Sequence, residues 1–101
     1  MRKYRVEIKP TAEADLLKRY HEIGEDSPQN ALNWYLGIIG AIEKLDELAE
    51  RCSIAPEDAE IRKGIRQLII GDYRALYYIV GEVVTVLHIR HCSMERNWTI
   101  E

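Results

Sequence analysis

The chain has 101 residues, of which 47% are hydrophobic and 31% charged, and this balance is typical of one globular domain rather than a disordered chain. The formal net charge of −3 argues against a simple nucleic-acid coat protein. The longest uncharged run, residues 27–42, is too short and too polar to span a bilayer, and the N-terminus lacks the apolar stretch of a signal peptide. We therefore expect a single domain, residues 1–101, in the cytoplasm and without a membrane partner.

The chain begins with a pattern that predicts a strand and then a helix. Residues 4–9 alternate polar and apolar side chains, which predicts a short strand with Val6 and Ile8 facing the core. Thr11 follows a proline and is placed to cap a first helix that ends at Gly24.

A second helix is predicted to begin at Ser27-Pro28, a cap residue followed by proline at the first helical position. From residue 31 to residue 48, apolar side chains recur at intervals of three and four. We expect this stripe to pack on the core, with a groove for a partner helix as the alternative. Gly37 and Gly40 lie inside the stripe, and we expect them to permit close packing against the first helix.

The second half of the chain predicts a loop and then three strands. The loop covers residues 51–62, and the strands cover residues 63–70, 73–80 and 83–91. Gly71-Asp72 and Gly81-Glu82 are short turns suited to antiparallel hairpins. The predicted fold is α+β with two layers, in the order β-α-α-β-β-β, in which an antiparallel sheet packs against a helical hairpin and leaves its other face partly open.

Histidine and cysteine near the end of the last strand do not predict a metal site. His88 and His91 are three residues apart, so in a regular strand they point to opposite faces, and no second ligand motif accompanies them. Cys52 and Cys92 are expected to be free thiols, because no signal peptide indicates an oxidising compartment. We expect no metal and no cofactor.

Basic residues on the strands are the pattern that suggests binding. Residues 1–61 carry a balance of −5 and residues 62–101 a balance of +2. Arg66, Arg74 and Arg90 fall one on each of the last three strands, and Tyr77 is near Arg74. Arginine and tyrosine on an open sheet suit a phosphate group or an acidic partner. The alternatives are that Arg74 pairs with an acid of this chain and that Tyr77 belongs to the core.

The stretch "YRALYYIVGEVVTVLHIRH", residues 73–91, resembles the RelE/ParE superfamily of toxins from bacterial type II toxin–antitoxin systems. The resemblance rests on the Tyr-Arg-x-x-Tyr pattern of the penultimate strand and on a final strand that is rich in valine and isoleucine and ends in Arg90-His91. The upstream "IRKGIRQL" and the opening "VEIKPTAEADL" extend the resemblance over nearly the whole chain. The resemblance implies the strand, helical hairpin and meander predicted above.

For function, the resemblance implies two alternatives. ParE-like toxins act on DNA gyrase and stabilise plasmids, and in this case the target-binding residues would be Arg66, Arg74, Tyr77, Arg90 and Arg96. RelE-like toxins are ribosome-dependent mRNA endonucleases, and in this case Arg74 and His91 would be catalytic. The tail favours the ParE-like alternative, because Trp98 stands where a proton-transferring tyrosine would be expected.

The resemblance also implies a partner. Toxins of both branches are neutralised by a cognate antitoxin protein, which we expect to cover the open sheet face and the groove of the helical hairpin. An inactive family member that only binds its partner is a third alternative, and formation of a homodimer is left open.

Overall fold

The structure is a computed structural model that describes residues 3–92. Its elements, in chain order, are β1 (Arg5–Ile8), α1 (Pro10–Asp26), α2 (Pro28–Glu43), α3 (Leu45–Leu48), α4 (Asp58–Ile61), β2 (Arg66–Ile70), β3 (Tyr73–Val80) and β4 (Val83–His91). The predicted α+β class and order are confirmed, with two short helices added between α2 and β2. Within residues 3–92, no helix has the length and apolar character needed to cross a membrane.

The four strands form one mixed sheet in the order β1-β4-β3-β2. The last three strands form the predicted antiparallel meander, whereas β1 runs parallel to β4. Gly71 and Gly81 have φ angles of 58° and 60°, which tight turns between antiparallel strands require and glycine adopts without strain. By contrast, β1 is separated in the chain from its partner β4 by the helices and two strands, so no tight turn fixes the direction in which β1 runs.

The helical hairpin begins and ends slightly differently from the prediction. Lys9 is the N-cap of α1 and makes no side-chain cap bond, so the prediction that Thr11 caps this helix was wrong. The Thr11 hydroxyl instead donates to the Leu87 carbonyl at 2.7 Å and ties α1 to β4. α1 continues past Gly24 to Asp26, and Ser27 caps α2 as predicted by accepting from the Asn30 amide at 3.2 Å.

The apolar stripe of the second helix divides between core and surface. α2 ends at Glu43, and the stripe continues into α3 after a break at Lys44. The expectation that Gly37 and Gly40 pack closely against the first helix was wrong, because a Cβ atom at either position would have nothing within 4 Å. The two helices approach at Gly24 instead, where a Cβ atom would lie 3.6 Å from Cβ of Ala31.

The sheet has two faces with different coverings. We call the side that packs against α1, α2 and α3 the helix face and the other side the opposite face. The core of the helix face is large and contains Tyr4, Ala12, Leu16, Ile38, Ile42, Leu45, Ala49, Ala75, Tyr77, Val84, Val86 and Ile89. The opposite face has a small core of Ala55, Ile65, Leu76 and Leu87. Strand alternation explains the division, since Leu76 lies between Ala75 and Tyr77.

The opposite face is covered by the later part of residues 49–65, which we call the 49–65 segment; its first residue, Ala49, still belongs to the helix-face core. It runs past the edge of β2, where Ile54 pairs with Arg66, and contains α4. Hence the predicted loop includes a helix, and the strand predicted from residue 63 begins at Arg66. The Asp58 carboxylate accepts from the amides of Lys63 and Ile65 at 2.9 Å each, and these bonds fix a turn where extended backbone was predicted.

Candidate functional site: the arginine pair and the helical hairpin

Arg74 is buried on the opposite face and grips an acidic residue of its own chain. Its guanidinium donates from Nη1 to Glu57 Oε1 at 3.0 Å and from Nη2 to Glu57 Oε2 at 2.7 Å. Nη1 also donates to Oε1 of Gln67 at 3.0 Å. The side chains of Arg74 and Glu57 are only 5% and 0% exposed. The alternative that Arg74 pairs with an acid of this chain therefore describes this structure.

The charges around Glu57 keep it ionised. Burial by itself would raise the pKa of Glu57, but the hydrogen bond from Arg74 and the charges of Arg74 and Arg90 outweigh it, so the pKa is lowered. For Arg74, the hydrogen bond to Glu57 raises the pKa above its ordinary value despite the burial. Both shifts favour the charged forms of the two side chains.

Arg90 neighbours this ion pair across the sheet, whereas Arg66 pairs with Tyr77 and so lies on the helix face. Arg90 is half-buried and directly opposite Arg74 in the register of β3 and β4, so both lie on the same face. Arg66 is also half-buried, and its Nη1 donates to the Cys52 carbonyl at 2.6 Å. Arg66 therefore holds the 49–65 segment against the edge of the sheet.

Tyr77 lies in the core of the helix face. Its side chain is fully buried, and its hydroxyl donates to the carbonyl of Ala49 at 2.6 Å. Burial raises the pKa of Tyr77 far above its ordinary value. The structure thus places this predicted binding residue where it supports the fold, as the core alternative describes.

His91 lies on the helix face, away from Arg74. Its ring packs edge-on against Tyr73, with centroids 5.1 Å apart, and Tyr73 in turn contacts Trp34 of α2. The Arg19 Nε donates to the Tyr73 hydroxyl at 2.6 Å. The two residues that the endonuclease alternative would pair, Arg74 and His91, are therefore on opposite faces of the sheet.

A bulge in β4 accounts for the position of His88. Leu76 pairs with His88 and Tyr77 with Val86, so Leu87 is an extra residue that interrupts the alternation of β4. The Asp15 carboxylate of α1 accepts from the Ile89 amide at 3.0 Å and lies 3.1 Å from Nδ1 of His88.

The cavity beside this bulge is open to solvent, and most of its lining side chains are charged or polar. It has a volume of about 380 Å³ and is lined by Asp15, Lys18, Arg19, Glu22, Tyr73, Ile89 and His91. Across residues 3–92, no three histidine, cysteine or acidic side chains are grouped to hold a metal ion. Arg96 and Trp98 lie outside the described residues.

The helical hairpin presents an apolar groove to solvent. Leu17 and Tyr20 of α1 and Leu32 and Tyr35 of α2 line a depression of about 220 Å³. Leu36, one turn beyond, is 57% exposed. No residue between 28 and 42 is charged, so the α2 side of the groove offers a partner apolar and uncharged polar groups. A groove for a partner helix was the alternative to core packing of the second-helix stripe, and Leu17 and Tyr20 of the first helix form its other wall.

Comparison with known proteins now assigns the family. The model of the ParE toxin of the type II toxin–antitoxin system, parDE, matches residues 6–96. The chain belongs to the ParE toxin family. No curated protein matches this toxin in sequence.

Two solved structures share the fold of this toxin. A chain of the chromosomal ParDE toxin–antitoxin system of P. aeruginosa is 22% identical, with a TM-score of 0.73 over 88% of this chain and 96% of that one. A chain of the RelBE2 toxin–antitoxin complex of Mycobacterium tuberculosis is 24% identical, with a TM-score of 0.52 over 88% and 98%. The predicted superfamily is confirmed, and the chain is a ParE-type toxin of a toxin–antitoxin system.

Proposed function

We propose that this toxin inhibits DNA gyrase in the bacterial cytoplasm and so stops DNA replication. The observation that supports this proposal over RNA cleavage is the separation of Arg74 from His91. Cleavage of RNA needs a charged group and a proton donor within reach of one phosphate. Here Arg74 is occupied by Glu57 on one face, and His91 packs on Tyr73 at the other. Binding of a protein target needs no such pairing.

The basic residues near the end of β4 are the target contacts that we propose. Arg90 and His91 are half-buried and adjacent, and they end the strand before the tail that carries Arg96. Arg66 lies at the far edge of the sheet, while Arg74 and Tyr77 act from the interior by keeping the strands in place. Loss of the Arg90 or His91 side chain should therefore weaken inhibition without unfolding the protein.

Induction in growing bacteria tests the proposed target. We expect thymidine incorporation to fall before amino-acid incorporation in cells that express the toxin without antitoxin, with an empty-vector culture as control. The purified toxin should also block DNA supercoiling by gyrase. Loss of amino-acid incorporation first would contradict the proposal and favour the ribosome as target. Normal growth at high soluble expression would favour the inactive-member alternative.

We further propose that the cognate antitoxin neutralises the toxin by laying an apolar helix on the groove of the helical hairpin. The groove is exposed, apolar and lacks charge on the α2 side, as helix-in-groove recognition requires. An anchor residue in such an interface contributes about 2 kcal/mol or more, which is roughly a 30-fold change in Kd.

Two lysine substitutions test whether the antitoxin binds at the groove or elsewhere on the surface. Leu36→Lys should weaken antitoxin binding by roughly 30-fold and leave the toxin active but poorly neutralised. Val80→Lys is the matched control, since Val80 is 63% exposed at the end of β3, next to the β3–β4 turn rather than on the hairpin. Titration calorimetry with the antitoxin measures both. Equal affinity of the two variants would show that the antitoxin binds elsewhere.

A further inference from the structure

On the opposite face, the carboxylate of Glu57 is bound at a site formed by basic and polar side chains of the strands. Arg74 of β3 and Arg90 of β4 are direct neighbours across the sheet, and both guanidinium charges act on Glu57. Gln67 of β2 adds a third polar contact through Arg74. Three adjacent strands therefore contribute to one site, and the anion in it comes from the 49–65 segment, 17 residues before Arg74.

Two arginines placed directly opposite each other on one face repel, and an anion beside them offsets that repulsion. The Glu57 side chain fills that role with full burial and with both oxygens engaged. Side-on contact of one guanidinium with two oxygens is a bidentate geometry that arginine forms with carboxylates and also with phosphates, and here the group that makes it is a carboxylate.

We propose that Arg74, Arg90 and Gln67 form a carboxylate-binding site, that Glu57 is its resident ligand, and that a carboxylate from outside the chain can take its place. Glu57 thereby keeps the 49–65 segment closed over Leu76 and Leu87 of the sheet. An external acidic side chain of a partner protein can occupy the site only when Glu57 leaves it. This inference does not depend on the proposed action on gyrase.

Chemical rescue of a truncated variant tests the site on the purified full chain. Glu57→Ala removes the resident carboxylate and leaves room for acetate. Its Tm is measured in sodium acetate and in sodium chloride at equal ionic strength and constant pH near 7. We expect acetate to raise the Tm of this variant by roughly 4 °C or more, with saturation, as a bound ligand does.

Two controls make the result specific. Glu60→Ala removes an exposed acid of α4 and should respond to acetate no more than the wild type does. Glu57→Ala combined with Arg74→Met lacks the guanidinium and should show no rescue. If Glu57→Ala is unfolded in chloride, recovery of its folded circular dichroism signal in acetate is the same positive result.

Three results would contradict the proposed carboxylate site. An equal response of Glu57→Ala, Glu60→Ala and wild type to acetate, or no recovery of an unfolded Glu57→Ala, would overturn the proposal. Rescue by inorganic phosphate but not by acetate would overturn the carboxylate assignment. Each result concerns the ligand site alone, because no measurement involves gyrase or the antitoxin.

Discussion

The two faces of the sheet are stabilised by different means. The helix face buries a broad set of aliphatic and aromatic side chains against α1 and α2, whereas the opposite face combines four buried apolar residues with one buried ion pair. Apolar packing tolerates many substitutions of similar volume, but an ion pair without solvent depends on both partners. This difference predicts that a single substitution that removes a charge lowers the stability of the protein more on the opposite face than on the helix face.

Replacement of Arg74 should have the largest effect on stability. Arg74→Met leaves the Glu57 carboxylate buried without its main partner, and loss of one member of a buried pair costs about 3–5 kcal/mol. Because Arg90 remains near Glu57, the lower end of that range is expected. The free energy of unfolding from urea titration measures the effect.

Two further variants identify the cause of that loss. Arg74→Met with Glu57→Met should recover most of the lost stability, since no buried charge remains unpaired. Arg5→Met removes an exposed arginine that lies 3.2 Å from Glu7, and such a surface pair contributes about 0–1 kcal/mol. If Arg74→Met were no more harmful than Arg5→Met, the ion pair would not be what closes the opposite face.

Acidification should weaken the opposite face by a smaller amount. The folded pKa of Glu57 is below its unfolded value of about 4.3, so the pair contributes fully above that pH and its contribution is lost as the pH falls through the folded pKa. Between pH 5 and pH 2, the free energy of unfolding should therefore fall more steeply for the wild type than for the Arg74→Met, Glu57→Met double variant. Parallel curves would mean that other carboxylates account for the acid sensitivity.

The fold could be predicted from the sequence because its signals are local. The glycine turns after β2 and β3, the Ser27 cap and the apolar periodicity of α2 each act within a few residues. The direction of β1 and the covering of the opposite face depend instead on contacts between distant segments. Nothing in residues 57–60 distinguishes the buried Glu57 from its exposed neighbour Glu60.

The candidate site was predicted less well, because it depends on contacts between residues that are distant in the chain. One arginine on each of the last three strands predicted a cationic sheet surface, but alternation cannot show which acid reaches Arg74 from elsewhere in the chain. For Tyr77, the sequence left binding and core packing as alternatives, and burial decides between them only when the helices are in place. The bulge at Leu87 likewise changes the orientation that a regular strand predicts for His88.

The smallest expected change in stability concerns Gly40, which lies on the solvent side of α2 and has no close neighbour that would require a glycine. A Cβ atom at Gly40 would have nothing within 4 Å, and its backbone is regular helix, so Gly40→Ala should raise the free energy of unfolding by about 0.5–1 kcal/mol. Gly81→Ala is the matched control, because the positive φ of 60° in the β3–β4 turn makes the same change destabilising. Thermal unfolding of both variants checks the signs. If Gly40→Ala gains stability yet loses affinity for the antitoxin, then a partner backbone approaches α2 at that point, and the glycine is retained for the complex rather than for the toxin alone.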